Sequence, residues 1–349
     1  MILKKYGVLI KPSFNKVFFE SSKKLMINEI KILDQMVLNQ NYRDFQLEKI
    51  GGVDYITFVT DEEIGDKELK YFSRLSSLYS LFEILPTQEV TLRPLVIDEE
   101  KYFDDDIISI LKYTGKTNED FTKMMLNIAI FCSDYAPNFT QRLPILDPVA
   151  GRGTTLFQGL IYGYNVYGVE ASKKSTHAMM TFLKRYLIEK HYKHKLEQSK
   201  VRRKGRIVGK RFTFEAAPTK EDYKNNNIVT IDVVQDDTRY ADRYFKKEYF
   251  CAIIGDLPYG VQHGSPTNQG SLTRNPKKLV KDALPAWIKL LRPGGVIALS
   301  WNVRILPRPQ LEKIVADSGL KVLHSEPLDN LEHVVDSSIT RDLLIAKKE

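Results

Sequence analysis

The sequence predicts an α/β fold built on a mostly parallel sheet, with a smaller α+β unit ahead of it. Three observations carry that expectation. Residues 143–170 read as strand, tight turn, helix, strand: apolar Leu143, Ile145 and Leu146 lead to Asp147 and Pro148, then to Ala150, Gly151 and Gly153, then to Thr154, Thr155 and an apolar helical pattern, and a second run ends on Glu170. Two later apolar runs, 228–234 and 250–254, also end on acids: Asp236 and Asp237 after the first, Asp256 after the second. The chain has 349 residues, 43% of them hydrophobic, enough for a large core or two domains.

Bulk properties narrow the function. The net charge is +8 and the isoelectric point about 9.1, which favours an anionic partner, nucleic acid being the commonest. Cys132 and Cys251 stand far apart with no CxxC, so a disulfide framework or a cysteine-rich zinc site within the chain is excluded. No apolar run approaches the length of a membrane span and residues 1–10 lack a signal-like segment, so a cytoplasmic protein with no membrane partner is expected.

Residues 1–105 read as a separate α+β unit: strands at 6–10 and 55–60, a helix at 68–85 from Leu69, Phe72, Leu75, Leu78 and Leu81, and a strand at 89–97 before an acidic hinge. No chemistry is recognisable there; a small packed domain or a substrate-docking unit both fit. Residues 106–349 form the second domain. Thr117 with Asp120 resembles a capping box opening a helix over 118–134, either covering the sheet or folding over a cofactor with Lys116, Thr117 and Phe121 at its mouth.

The turn after Asp147 carries the first site. Its glycines let the backbone approach a ligand, and the helix that follows offers free N–H groups. Glu170, with Ala171 beside it, lies about 20 residues on, where a ribose-binding acid sits in nucleotide-binding βαβ units. The expected adenosine-type cofactor therefore meets Asp147, Pro148, Gly151, Gly153, Thr154, Thr155, Glu170 and Ala171. Asp236 or Asp237 is expected to accept from an adenine amino group, with a helix N-cap as the competing role for Asp237.

A helix over 172–192 is followed by a basic stretch at about 193–215, with Arg202, Arg203, Lys204 and Arg206 at its centre. It reads as a loop in contact with substrate phosphates or as a surface insertion.

The second site is Asp256-Leu257-Pro258-Tyr259-Gly260, at the end of the 250–254 run. Methyl transfer to an exocyclic amine requires a nitrogen whose lone pair faces the donor. A carboxylate (Asp256) accepts one N–H, the fixed carbonyl of Pro258 the other, and Tyr259 offers a stacking face. Such chemistry needs positioning rather than a metal. A polar, Gly/Pro-rich loop follows at 261–276, and Trp287 and Trp301 read as core.

Taken in order, Asp147–Gly153, Glu170, Asp236/Asp237 and Asp256–Tyr259 resemble a Rossmann-like class I methyltransferase that uses S-adenosylmethionine, and most closely the Trm11/TrmG10-like tRNA guanine-N2 methylases. Those carry D-P-P-Y-G where this chain has D-L-P-Y-G. The resemblance runs from about Tyr113 to Glu349 and implies a seven-stranded sheet with a reversed final hairpin at 321–325 and 342–347. It also implies Leu257 and Gly260 as substrate neighbours, tRNA as partner, and raises the question of a small activator subunit. An adenine-N6 methyltransferase acting on DNA or RNA is the alternative enzyme. A non-catalytic nucleic-acid binder that keeps the fold is the alternative of another class.

Overall fold

A computed structural model describes residues 3–12, 16–87, 89–113, 115–258 and 276–349. The chain divides into two compact units, 1–100 with 324–341, and 101–323 with 342–349. The first break lies close to the expected 105, while residues 324–341, expected in the second domain, group with the first unit.

The first unit runs β1 (Lys4–Ile10), α1 (Lys16–Leu33), β2 (Arg43–Ile50), β3 (Val53–Thr60), α2 (Asp66–Phe72), β4 (Leu78–Leu85) and β5 (Thr91–Leu95). Its sheet order is β2-β3-β1-β4-β5 with antiparallel pairs, a split βαββαβ arrangement with one added strand. The helix expected over 68–85 is instead the short α2 followed by β4. Helical spacing brought Leu75, Leu78 and Leu81 together, but Leu81 lies opposite Val8 across the ladder, and this long-range pairing overrides the local periodicity. Tyr6, Val8, Met26, Ile30, Ile56, Phe58 and Phe72 form its core. Residues 324–341 lie along α1, where Asn28 donates to the Asn330 carbonyl (2.7 Å) and Lys31 pairs with Glu326 (3.1 Å).

The second unit begins with α3 (Asp106–Ser109) and α4 (Glu119–Phe131), then β6 (Pro144–Asp147), α5 (Thr154–Ile161), β7 (Asn165–Val169), α6 (Lys173–Glu189), β8 (Lys193–Arg203), β9 (Arg206–Ala217), α7 (Lys220–Lys224) and β10 (Val229–Val234). It continues with β11 (Phe250–Asp256), α8 (Pro276–Leu290), β12 (Leu291–Asn302), α9 (Arg308–Asp317) and β13 (Lys321–Val322); β14 (His333–Val334), in the 324–341 segment of the first unit, precedes the final β15 (Thr340–Lys347). The sheet order is β13-β15-β12-β11-β6-β7-β10-β9-β8, with β14 against β15. Taking β6, β7, β10, β11, β12, β13 and β15 in chain order as one to seven, they lie 3-2-1-4-5-7-6. This is a Rossmann-like parallel sheet, with β13 and β15 as the expected antiparallel final pair.

The sheet has ten strands among the described residues rather than seven. The basic stretch expected as a loop is the hairpin β8–β9, antiparallel on β10. Its turn is two residues, Lys204 (φ +48°) and Gly205 (φ +78°), and the positive φ at both suits the twist of a tight hairpin. Trp287 and Trp301 are fully buried; their indole N–H groups donate to Thr238 Oγ1 (2.9 Å) and the Leu306 carbonyl (2.6 Å).

Candidate active site

The strand order reverses between β6 and β11, which are neighbours and parallel. In open parallel sheets the crevice beyond such a reversal is where ligands sit. Asp147 closes β6, Glu170 follows β7, and Asp256 closes β11, so three acids stand at the carboxyl ends of three adjacent strands.

Asp147 is buried, and its carboxylate accepts the Val149 N–H at 3.0 Å. Burial pushes its pKa up to about 7; the Val149 and Thr155 hydrogen bonds resist the rise, while the charges of Asp256 and Glu170 add to it. Thr155 and Pro148, expected to line the cofactor site, are themselves buried, and Thr155 serves Asp147 instead. Glu170 accepts from the Gly151 N–H (2.7 Å) and the Ser172 N–H (2.6 Å), while burial raises its pKa. The acid therefore closes the turn. Gly153 is left-handed at φ +92°, and a Cβ there would lie 2.9 Å from Met179, so no other residue fits this helix start without strain. Gly151 and Ala171 remain partly exposed at the strand ends.

A segment ahead of α4 reaches both motifs. The Tyr113 hydroxyl lies 3.0 Å from Thr154 Oγ1, and the Arg152 guanidinium sits over its ring, 4.6 Å from the centroid. The Thr117 hydroxyl hydrogen-bonds Asp256. Thr117 was expected at the mouth of a cofactor site; its contact is with the second motif. Phe121, expected beside it, is completely buried in the α4 core and lines no opening. The expected capping box is also corrected: Asn118, not Thr117, caps α4, its Oδ1 accepting the Phe121 N–H at 3.0 Å. Tyr113 was missed, since a lone tyrosine in a turn-like Lys-Tyr-Thr-Gly carries no periodic signal.

The Leu257 side chain, expected beside the substrate, is turned into the core. It is fully buried with Val280, Leu284 and Leu299, and the Leu257 N–H donates to the Ser300 carbonyl at 2.8 Å. An apolar side chain at that position is drawn into the layer between sheet and helix. Pro258 is exposed. Tyr259 and Gly260 lie outside the described residues.

At the end of β10 the two acids divide their roles. Asp237 caps the following turn, accepting from the Arg239 N–H at 3.0 Å, and pairs with the Arg239 guanidinium at 2.5 Å. Burial favours its neutral form, but the Arg239 bonds outweigh that and hold the carboxyl below its usual range. Asp236 is buried; it accepts from the Tyr244 hydroxyl and lies 3.5 Å from the Arg203 guanidinium.

Register places the hairpin tip near these acids. Val234 pairs with Arg211, and the Gln235 N–H donates to the Lys210 carbonyl at 2.8 Å, so residues 203–206 extend past the carboxyl end of β10. Gly209 makes this possible: a Cβ there would stand 1.7 Å from the Gln235 carbonyl oxygen. Arg202, Lys204 and Arg206 are exposed, but Arg203 turns inward, 4.2 Å over the Tyr240 ring. Arg203 is therefore an anchor of the hairpin, whereas sequence grouped it with the three exposed cations. The Lys-Gly dipeptide between alternating residues was the signal for this hairpin.

No protein-family model and no curated protein matches the chain. Among solved structures it is similar to a protein of Pyrococcus horikoshii provisionally described as an RNA methyltransferase, at 15% identity over 69% of this chain and 94% of that one, with a TM-score of 0.39. A TehB-like SAM-dependent methyltransferase from Corynebacterium glutamicum matches at 12% identity over 60% and 81%, TM-score 0.33. TYW2 of P. horikoshii in complex with MeSAdo matches at 11% over 60% of each, TM-score 0.32. At such values the likeness carries no functional weight; the topology and residues of this chain must carry it.

Proposed function

We propose that the chain is an S-adenosylmethionine-dependent methyltransferase acting on an exocyclic amine of a nucleobase, guanine N2 in tRNA before other targets. The observation that carries this is the convergence of Asp147, Glu170 and Asp256 at the ends of adjacent strands, where the sheet order reverses. The residues fit such a cofactor. The left-handed turn at Gly151 and Gly153 brings backbone close to a ligand, and a buried carboxyl raised to about 7 by burial and two acidic neighbours favours a cationic one.

When bound, the cofactor supplies an electrophilic methyl group on a positively charged sulfur. Glu170 and Ala171 would hold its ribose and adenine side, and Asp236 would lie within reach of the adenine amino group. Asp256 accepts one N–H of the target amine and the Pro258 carbonyl the other, which aims the nitrogen lone pair at the methyl. Tyr259 keeps its sequence-based role as stacking face. Catalysis is alignment in a crevice that excludes water. Arg202, Lys204 and Arg206, on a hairpin that overhangs the same sheet edge, are suited to substrate phosphates.

Methyl transfer from labelled cofactor to unmodified tRNA and to DNA, followed by nucleoside analysis, tests this. N2-methylguanosine is the expected product, and its formation by the purified chain alone would dispense with an activator subunit. N6-methyladenosine would replace the target. Asp256→Ala is expected to remove turnover while keeping cofactor binding; normal turnover in that variant would refute its role.

A further inference from the structure

We infer that Thr117 is a positioning residue for Asp256, fixing that carboxylate for the amine rather than binding the cofactor. The inference rests on the proposed methyl-transfer function and assigns a new role within that site. Its basis is the segment that crosses from one motif to the other. Tyr113 meets Thr154 at the turn after β6, and four residues later the Thr117 hydroxyl donates to Asp256 Oδ2 at the end of β11.

Two anchors hold the donor in place. Asn118, the next residue, caps α4, whose buried face includes Phe121, Met125 and Ile128 and whose length packs on α5, β11 and β12. Lys116, the preceding residue, pairs with Glu119 at 2.5 Å and donates to the Ile108 carbonyl. The backbone at Thr117 is thus held between a helix cap and an ion pair.

The physical consequence lies in the carboxylate. An aspartate rotates broadly about its terminal torsion, so a strand end alone does not fix which way its oxygens face. A donor on Oδ2 selects one orientation of the carboxylate whose oxygens are to accept an amine N–H. Because the donor is rooted in the helix that leads into β6, the amine clamp is aligned with the turn where the methyl donor sits. A misplacement of about 1 Å costs on the order of 100-fold in rate, so alignment is where such a residue acts.

The test uses the full chain. Thr117→Val, which keeps shape and removes the donor, is expected to lower kcat about 10–100-fold with the KM for cofactor within about 2-fold, and Thr117→Ser to restore most of it. Unchanged kcat in Thr117→Val overturns the inference. So does a cofactor affinity weakened more than about tenfold at unchanged kcat, which would return Thr117 to the cofactor. Should the wild-type chain transfer no methyl group, the proposed function fails instead, and a second measurement still judges the contact. In urea denaturation, Thr117→Val and Asp256→Ala are expected to shift the midpoint non-additively; additive shifts overturn it.

Discussion

The two units differ in sign. Residues 1–100 and 324–341 carry 14 Lys and Arg against 20 Asp and Glu, a net −6; the remainder carries 38 against 24, a net +14. The chain's +8 is therefore a difference between opposites. Nine of the basic residues lie in 193–215, on β8–β9 and its turn. The net charge of the acidic βαββαβ unit offers no electrostatic attraction to a phosphate backbone, so charge adds no support to a substrate-docking role there. The lesson is that net charge assigns a partner only after it is divided along the fold. Some of the hairpin's lysines also serve the structure. Lys193, Lys195 and Lys200 lie on the edge strand β8, where charge discourages edge-to-edge pairing. The exposed cations at the tip are not needed for that.

The strongest way to break the comparison is through Asp147. A carboxyl raised from 3.8 to about 7 binds a proton in the folded chain that it lacks when unfolded, so stability falls as pH rises from about 4 to 7. The full effect is on the order of 4 kcal/mol. Asp147→Asn is expected to flatten that decline in urea denaturation. Cofactor affinity of the wild type is expected to rise as pH passes about 7, where the carboxyl ionises. An unaltered pH profile in Asp147→Asn would show that the acid does not carry the charge.

Leu257→Ala comes next. It opens a cavity in the second unit's core and is expected to cost about 2–5 kcal/mol of stability. A loss of RNA binding with stability intact would instead make Leu257 a substrate contact. The charge contrast itself is tested by neutralising Arg202, Lys204 and Arg206 together. Nucleic-acid affinity is expected to drop, with the salt slope flatter by about 2–3. The same change at the exposed Lys67 and Lys70 of the first unit is expected to do neither. Equal effects at both places would erase the distinction. The smallest expected effect belongs to Arg203→Ala, a few-fold weakening of cofactor binding through Asp236, measured by calorimetry; Lys204→Ala should leave cofactor binding alone.

Strands ending in Asp147, Glu170 and Asp256 were legible in the sequence, because a buried parallel strand is an unbroken apolar run and the acid that ends it is conspicuous. The final pair β13–β15 was legible only through the family resemblance. The burial of Leu257, Phe121 and Thr155 was not legible for one reason: spacing along a strand or helix says which residues share a face, not which faces another layer covers. The helix expected over 68–85 failed likewise, since β4 is defined by its partner β1.

The sequence by itself determined where the chain turns from apolar to acidic, and with it the class of fold and the candidates for chemistry, because both follow from short-range pattern. Only the tertiary structure decided that residues 324–341 belong with the first unit, that Arg203 holds Asp236, and that Thr117 reaches Asp256 across 139 positions. Those contacts join residues distant along the chain, and no local preference records them.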